Sequence, residues 1–171
     1  SGISPRLLPG VSTHTVFTTS DEHSERGYII ESAEERIAMM EKRMRKMPLA
    51  EAEMREPRLY GPAGAGLTLV GWGGTLGAMR EAVELLNRDG IAANALHFVD
   101  IWPFPAQRVS AVLDGLQRLV AVEGNYSGQF AALLREQTGR KVDHNIRRYD
   151  GRPLSADDIV ERVKTEVMAH V

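Results

Sequence analysis

Four short apolar segments alternate with four helical segments between residues 67 and 171. The predicted strands cover residues 67–71, 93–99, 118–123 and 141–147. The predicted helices cover residues 75–88, a short stretch that opens at Pro105, residues 127–137 and a stretch that starts near Ser155. Strands that alternate with helices in this way form a parallel sheet with helices on both faces. The chain is therefore predicted to adopt an α/β fold.

The helical segments carry recognisable packing and end signals. Four apolar residues of the first helix recur at helical spacing: Leu76, Met79, Val83 and Leu86. Gly139 stands where a C′ glycine closes the third helix. Ser155 precedes the last helix, and Asp158 follows three residues later as its cap partner.

Residues 1–66 differ from the rest of the chain, because their apolar residues show little sustained helical or strand periodicity. One helix is predicted over about 33–47, with Ser32 as its N-cap and Pro48 as its end. Its apolar stripe consists of Ile37, Met40, Met44 and Met47. This stripe suits either an adaptable docking surface or ordinary core packing, and core packing is the favoured interpretation. Residues 48–66 are predicted to form a linker.

The composition excludes several classes of chemistry. The chain has no cysteine, so it cannot form disulfides, thiolate nucleophiles or cysteine-ligated iron–sulfur clusters. Its 21 Lys and Arg against 23 Asp and Glu create no basic field for nucleic acid. No apolar run approaches the roughly 20 residues that span a bilayer. The N-terminus has no signal-peptide pattern, so a cytoplasmic protein is expected.

The chain opens on SGISPRLLPG and has no initiator Met. We expect it to be part of a longer polypeptide, and a processed or tag-trimmed small protein is the alternative.

The turn after the first predicted strand is rich in glycine. Gly71, Gly73 and Gly77 give GxGxxxG, whereas the dinucleotide-binding fingerprint requires GxGxxG. Asp100 lies beyond the spacing expected for the acidic residue that binds a ribose. The favoured interpretation is therefore a tight turn that lets helix and strand pack closely.

Polar and aromatic residues follow the predicted strands, at the edge where open α/β sheets bind ligands or partners. EGNYSGQ (123–129) is not a nucleophile elbow, because Ser127 does not stand in GxSxG. We expect a docking edge here and no catalytic, cofactor-binding or metal-binding residue. The candidate interface residues are Trp72, Trp102, Phe104, Glu123, Asn125 and Tyr126.

The five histidines do not form a metal-binding motif such as HExxH. His97 and His144 fall within predicted strands and are interpreted as structural. The acidic loop Asp21-Glu22-His23 suits either a metal or proton-transfer cluster or a solvated loop, and the solvated loop is favoured.

Several stretches together resemble one family. LTLVGWGGTLGAMREAVELLNRDGI, LHFVDIWPFP, LVAVEGNYSGQFAALLRE and VDHNIRRYDGRPLSADDI are similar to the C-terminal domain of 2-oxoacid:ferredoxin oxidoreductase α subunits, most closely the 2-oxoglutarate branch. SGISPRLLPG and EHSERGYIIESAEERIAMMEKRMRK resemble the interdomain segment that joins this domain to the preceding thiamine-diphosphate domain.

The resemblance implies an enzyme that interconverts 2-oxo acid, coenzyme A and oxidised ferredoxin with acyl-CoA, CO2 and reduced ferredoxin. It implies thiamine diphosphate, Mg2+, a [4Fe–4S] cluster and coenzyme A in the intact complex, with none bound by this chain alone. The implied partners are the upstream domains of the α subunit, a β subunit that carries thiamine diphosphate and the cluster, and ferredoxin. No catalytic residue carries over, so the isolated chain is expected to be inert.

The resemblance also implies a fold similar to the transketolase C-terminal domain over residues 67–171. That fold is a three-layer α/β/α sandwich with about five strands, one of them antiparallel. The fifth strand is expected within residues 11–18 or near residue 149.

Three alternatives stay open. The chain could belong to another thiamine enzyme, of the 2-oxo acid dehydrogenase or transketolase type, or it could be a stand-alone nucleotide-binding or protein-interaction module. A third alternative is that Arg147-Arg148 or the basic cluster 42–46 contacts the phosphates of coenzyme A. The favoured interpretation of these residues is that they form ion pairs or lie on a solvent-exposed face.

Overall fold

Two units make up the chain, residues 1–53 and residues 54–171. The computed structural model describes residues 1–169. Within residues 54–169, the second unit contains a five-stranded sheet, four α-helices, a short 3-10 helix (Gly73–Thr75) and a π-helical segment (Val163–Val167) that follows the last α-helix. Its strands are β1 (Arg58–Tyr60), β2 (Leu67–Trp72), β3 (Ala93–Phe98), β4 (Arg118–Glu123) and β5 (His144–Arg147). The α-helices of the described residues are α1 (Ala33–Met44), α2 (Met47–Glu53), α3 (Leu76–Arg88), α4 (Ala106–Leu113), α5 (Gln129–Thr138) and α6 (Ala156–Arg162).

The sheet has the order β1-β3-β2-β4-β5. Strands β2 to β5 are parallel, and β1 pairs antiparallel with β3 at one edge. The four predicted strands and the predicted parallel sheet are therefore confirmed. The predicted caps also form, since Gly139 is left-handed at the end of α5 and Ser155 makes a capping box with Asp158.

Alternating strand residues build two separate cores, one on each face of the sheet. Leu69 and Val122 belong to the core beneath α3 and α6. Val70 and Ala121 belong to the core beneath α4 and α5. The second unit is thus a three-layer α/β/α sandwich, as predicted.

A linker was predicted over residues 48–66. That prediction is wrong for residues 48–53, which lie in α2, and for residues 58–60, which form strand β1. Its three residues pair with His97, Leu96 and Ala95 of β3. Residues 11–18 and the segment near residue 149, where the fifth strand was expected, contain no strand. Three residues are too few to show an alternating pattern, which is why the sequence did not reveal this strand.

The first unit contains α1 and α2 and has no buried hydrophobic side chain. Ser32 caps α1, since its hydroxyl accepts a hydrogen bond from the Glu35 N–H. The helix ends at Met44, and Pro48 lies near the start of α2, where a missing N–H is tolerated. The prediction that Pro48 ends the first helix is therefore wrong.

The apolar stripe of α1 is exposed. Ile37, Met40 and Met44 are 58%, 37% and 54% exposed. The favoured interpretation of core packing is wrong for this stripe, because α1 has no buried residue.

Within residues 1–169, no helix has both the length and the apolar character needed to cross a membrane.

Candidate functional site at the carboxyl edge of the sheet

The parallel strands end together at one edge of the sheet, which we call the carboxyl edge. The chain leaves β2 toward β3 on one side, while β4 lies on the other side of β2. This reversal of strand order makes a crevice between the ends of β2 and β4, the position where open α/β sheets bind ligands.

A cavity of ≈ 460 Å³ lies at this crevice. It is lined by segments that follow β2, β4 and β5, among them Trp72, Gly74, Thr75, Gly124, Gln129 and Arg152. We call it the switch-point cavity. Its volume falls within the range of about 300–1,000 Å³ that is typical of small-molecule sites.

Glu123 ends β4 beside this cavity and is 1% exposed. Its carboxylate accepts hydrogen bonds from the N–H groups of Phe130 (2.7 Å) and Ala131 (3.1 Å) in the first turn of α5. It also accepts from the side-chain amides of Asn125 (2.8 Å) and Asn145 (3.0 Å). The first turn of α5 therefore already holds an anion, supplied by the chain itself.

Asn125 completes this cap. Its Oδ1 accepts hydrogen bonds from the N–H groups of Gly128 (2.7 Å) and Gln129 (3.1 Å). The prediction of Glu123 as an interface residue is wrong, because its side chain is buried. The side-chain oxygen and nitrogen of Asn125 both form hydrogen bonds within the chain. Its predicted role at an interface stays a prediction.

The candidate aromatic residues divide into two groups. Phe104 is 5% exposed and stacks on Phe98 with ring centroids 6.1 Å apart. Its predicted role as a surface anchor is therefore wrong. Trp72, Trp102 and Tyr126 are 40%, 62% and 72% exposed, and their interface role stays a prediction.

Tyr149 is an exposed aromatic residue that our sequence analysis missed. It is 62% exposed and lies edge-on to Tyr126, with ring centroids 4.9 Å apart. An exposed aromatic residue thus ends or follows each parallel strand: Trp72, Trp102, Tyr126 and Tyr149. We call these four residues the aromatic edge. Their shared position just after strand ends was the available sequence signal.

Arg147 and Arg148 are engaged within the chain. Arg148 forms ion pairs with Asp150 and Asp158, and the pKa of Asp150 is lowered chiefly by its hydrogen bond from Arg148. Arg147 donates a hydrogen bond to the carbonyl of Tyr126 at 2.6 Å. The ion-pair interpretation is thus confirmed for Arg148.

Asp100 is also occupied. The Arg55 guanidinium donates hydrogen bonds to both carboxylate oxygens of Asp100, at 2.7 and 2.8 Å. The backbone N–H of Arg55 donates to the same carboxylate at 3.0 Å. Hydrogen bonds from the Arg55 side chain and backbone lower the pKa of Asp100 to about 2. This carboxylate is therefore held by the chain itself, which argues against a ribose-binding role.

The remaining candidate groups have structural partners. Glu22 of the acidic loop forms ion pairs with Arg43 and Arg36, and its pKa is lowered chiefly by the hydrogen bond from Arg43. Among residues 1–169, no three His, Asp or Glu side chains are grouped as metal ligands.

His97 is buried with Nε2 at 3.0 Å from the Gly73 carbonyl, and Nε2 of His144 lies 2.8 Å from Glu166. Nδ1 of His97 is buried without a hydrogen-bond partner, so the structural interpretation of His97 stays a prediction. His144 has the structural partner that was expected, and His170 lies outside the described residues.

Comparisons with known proteins agree on one family. The family model for the pyruvate:ferredoxin oxidoreductase core domain II matches residues 65–159. The α subunit of 2-oxoacid:ferredoxin oxidoreductase 1 from Sulfurisphaera tokodaii is 35% identical over 163 residues, 94% of this chain and 25% of that protein. The corresponding subunit from Saccharolobus solfataricus is 34% identical, over 97% of this chain and 26% of that protein.

Solved structures show the same relationship. A 2-oxoglutarate:ferredoxin oxidoreductase from Magnetococcus marinus, with 2-oxoglutarate, coenzyme A and succinyl-CoA bound, is 28% identical and has a TM-score of 0.77. The match covers 97% of this chain and 29% of that chain. A transketolase from Pichia stipitis, 14% identical over 71% of this chain and 19% of its own, has a TM-score of 0.52 and shares the fold alone.

The chain spans about a quarter of the length of the curated relatives it matches. The family match covers the core beneath α4 and α5, most of the core beneath α3 and α6, and the segments that form the switch-point cavity. The chain therefore belongs to the pyruvate:ferredoxin oxidoreductase core domain II family, and it corresponds to a piece of the α subunit of 2-oxoacid:ferredoxin oxidoreductases.

Proposed function

We propose that this chain is the structural, interface-forming part of a 2-oxoacid:ferredoxin oxidoreductase α subunit, and that the enzyme acts on 2-oxoglutarate. In the complete cytoplasmic enzyme, 2-oxo acid and coenzyme A give acyl-CoA and CO2, and two electrons pass one at a time to ferredoxin. The Magnetococcus marinus relative, whose structure holds 2-oxoglutarate and succinyl-CoA, supports this choice of substrate.

The main support for the proposal is the exposed apolar surface of the first unit, residues 1–53. This unit has no buried hydrophobic side chain of its own. Twelve of its large hydrophobic side chains are exposed, including Phe17, Ile37 and Met44. Exposed apolar surface on this scale marks an interaction site. We propose that this unit is an interdomain segment, and that it packs on the upstream domains of the α subunit.

The aromatic edge provides a second proposed contact. Trp and Tyr are enriched at interface cores, because they bury large rigid surfaces at a small cost in conformational entropy. The β subunit is the proposed partner for Trp102, Tyr126 and Tyr149 of this surface, whereas Trp72 lines the switch-point cavity. The charged neighbours Arg148 and Asp100 are already paired within the chain, so neither adds a free charge beside the rings.

The bond-making steps are assigned to other parts of the complex. Thiamine diphosphate with Mg2+ supplies the decarboxylation chemistry when it is bound, and the [4Fe–4S] cluster supplies single-electron transfer. The residues of this chain do not fit the cluster, because the sequence has no cysteine to ligate iron. Nor does any grouped acidic or histidine ligand set among residues 1–169 fit Mg2+. We propose that the chain alone binds none of these groups and is catalytically inert.

The test is anaerobic affinity capture of the tagged chain from its native cells. We expect the longer α polypeptide and a cysteine-bearing β subunit, identified by intact mass, in the captured material. We expect that material to reduce viologen with coenzyme A and 2-oxoglutarate, and less with pyruvate or 2-oxoisovalerate. Turnover by the purified chain alone, or reduction of NAD instead of viologen, would contradict the proposal.

A matched pair of variants tests the role of α1. Ile37→Glu places a charge on the exposed apolar stripe, whereas Ala38→Glu places the same charge on an exposed position outside it. We expect Ile37→Glu to weaken the packing of the first unit on the upstream domains of the α subunit and so to lower viologen reduction, and Ala38→Glu to leave viologen reduction unchanged. Equal behaviour of the two variants would show that the stripe is not an interface.

A further inference from the structure

The switch-point cavity is lined by two glycines that the fold itself does not require. Neither Gly74 nor Gly124 has a positive φ. A Cβ added at either position meets no heavy atom within 4 Å. Gly71 differs, because its Cβ would lie 2.6 Å from the Met79 sulfur. Packing therefore explains Gly71, whereas Gly74 and Gly124 leave bare backbone at the wall of an open cavity.

Arg152 supplies this cavity with a positive charge that the chain does not neutralise. Its backbone N–H donates to Asp150 at 3.0 Å, but its guanidinium has no ion pair or hydrogen bond among residues 1–169. The nearby Arg148 is held by two carboxylates, Asp150 and Asp158. A free guanidinium presents a planar set of donors that matches phosphate oxygens.

Two further residues add to the recognition surface. Gln129 lines the cavity, and within the described part of the chain its side-chain amide makes no hydrogen bond. Trp72 lines it too and is 40% exposed, so its indole offers a flat apolar surface. The first turn of α5 contributes no anion site, because Glu123 and Asn125 already accept from its N–H groups.

We propose that the switch-point cavity binds a phosphate-bearing small molecule with a planar ring, of the nucleotide class. The phosphate lies on Arg152 and Gln129, and the ring lies against Trp72. The missing side chains of Gly74 and Gly124 allow the ligand to approach the backbone. The site goes beyond the assembly role proposed above and does not depend on it.

Calorimetric titration of the 171-residue chain with ADP tests the proposal. Inorganic phosphate and adenosine, titrated separately, measure the binding affinity of the phosphate half and of the ring-bearing half of ADP. We expect saturable binding of ADP and weaker binding of each half. In a Trp102→Phe background, where Trp72 is the remaining tryptophan, ADP should change the fluorescence with the same dissociation constant.

The variants assign the binding to this cavity. Arg152→Gln should raise the dissociation constant for ADP about tenfold or more, since a hydrogen bond to a charged group is lost. Arg88→Gln removes the same charge from an exposed residue at the far end of α3 and should leave the constant unchanged. Gly74→Ala should weaken ADP binding without lowering the unfolding temperature, because space is free for its methyl group.

Three results would overturn the proposal: no saturable ADP heat, equal dissociation constants for Arg152→Gln and Arg88→Gln, or unchanged binding by Gly74→Ala. None of them bears on the capture and viologen assays, which measure assembly and turnover.

Discussion

Glu123 shows how one buried carboxylate organises a strand end and a helix start. Gly128, the N-cap of α5, has no side chain that could accept a hydrogen bond. Glu123 supplies the missing acceptor from the end of β4, and Asn125 and Asn145 hold the carboxylate in place. The charge is tolerated at 1% exposure because four donors surround it.

We expect Glu123→Gln to destabilise the chain by about 1–3 kcal/mol, because its NH2 group would face N–H donors and leave them unpaired. Thermal unfolding measures this change. Ser127→Ala, at an exposed neighbouring position, is the control and should have the wild-type unfolding temperature. An unfolding temperature for Glu123→Gln equal to that of the control would show that the network contributes little stability.

The Arg55–Asp100 pair makes stability depend on pH in the acid range. The pKa of Asp100 falls from 3.8 to about 2, chiefly through hydrogen bonds from the Arg55 side chain. A lowered folded-state pKa stabilises the fold above the unfolded-state value, and this contribution is lost as the pH falls through about 2.

Denaturant unfolding of the wild-type chain and of Asp100→Asn, measured as a function of pH, isolates this pair. The difference in unfolding free energy between them should be constant above the ordinary aspartate pKa of about 4 and should shrink below it. A difference independent of pH down to the acid transition would show that the pair adds no stability.

At the scale of elements, β2 and α3 approach closely through Gly71. A Cβ there would lie 2.6 Å from the Met79 sulfur and 2.7 Å from the Thr75 hydroxyl. Met79 is fully buried, so it has no solvent-filled space into which it could move. The favoured interpretation of this turn as a close-packing device is thus correct for Gly71.

Gly71→Ala should therefore cost about 1–3 kcal/mol of unfolding free energy, the usual effect of overpacking a core. Gly74→Ala, three residues on, introduces the same methyl group into open space and should cost nothing. Urea unfolding of the two variants compares them directly. Equal stabilities would mean that the turn relaxes around the added methyl group.

At the scale of the whole molecule, both hydrophobic cores consist of residues of the second unit. The first unit adds helices but no buried hydrophobic side chain. The folding free energy from apolar burial therefore comes from residues 54–171.

We expect the truncated chain 54–171 to unfold cooperatively within a few degrees of the full chain, since about 1 kcal/mol corresponds to about 2–4 °C at this size. Calorimetry of both chains provides the comparison. Loss of the cooperative transition on truncation would show that the first unit stabilises the second, contrary to the distribution of its apolar side chains.

The sequence by itself determined the alternation of elements, the parallel sheet and the caps at Ser32 and Ser155. Each of these depends on periodicity or on hydrogen bonds within a few residues of chain. The aromatic residues at strand ends could also be read locally, although Tyr149 was missed. The interface interpretation failed for Phe104 and Glu123, because burial depends on elements far away in the chain.

Only the tertiary structure decided the long-range features. Strand β1 exists through pairing with β3, which lies more than thirty residues later. The switch-point cavity combines segments that follow β2, β4 and β5, and the free charge of Arg152 is evident only once its neighbours are placed. The reason is physical: local signals specify helices and strands, whereas pairing partners, exposure and cavities arise from contacts between elements that are distant in sequence.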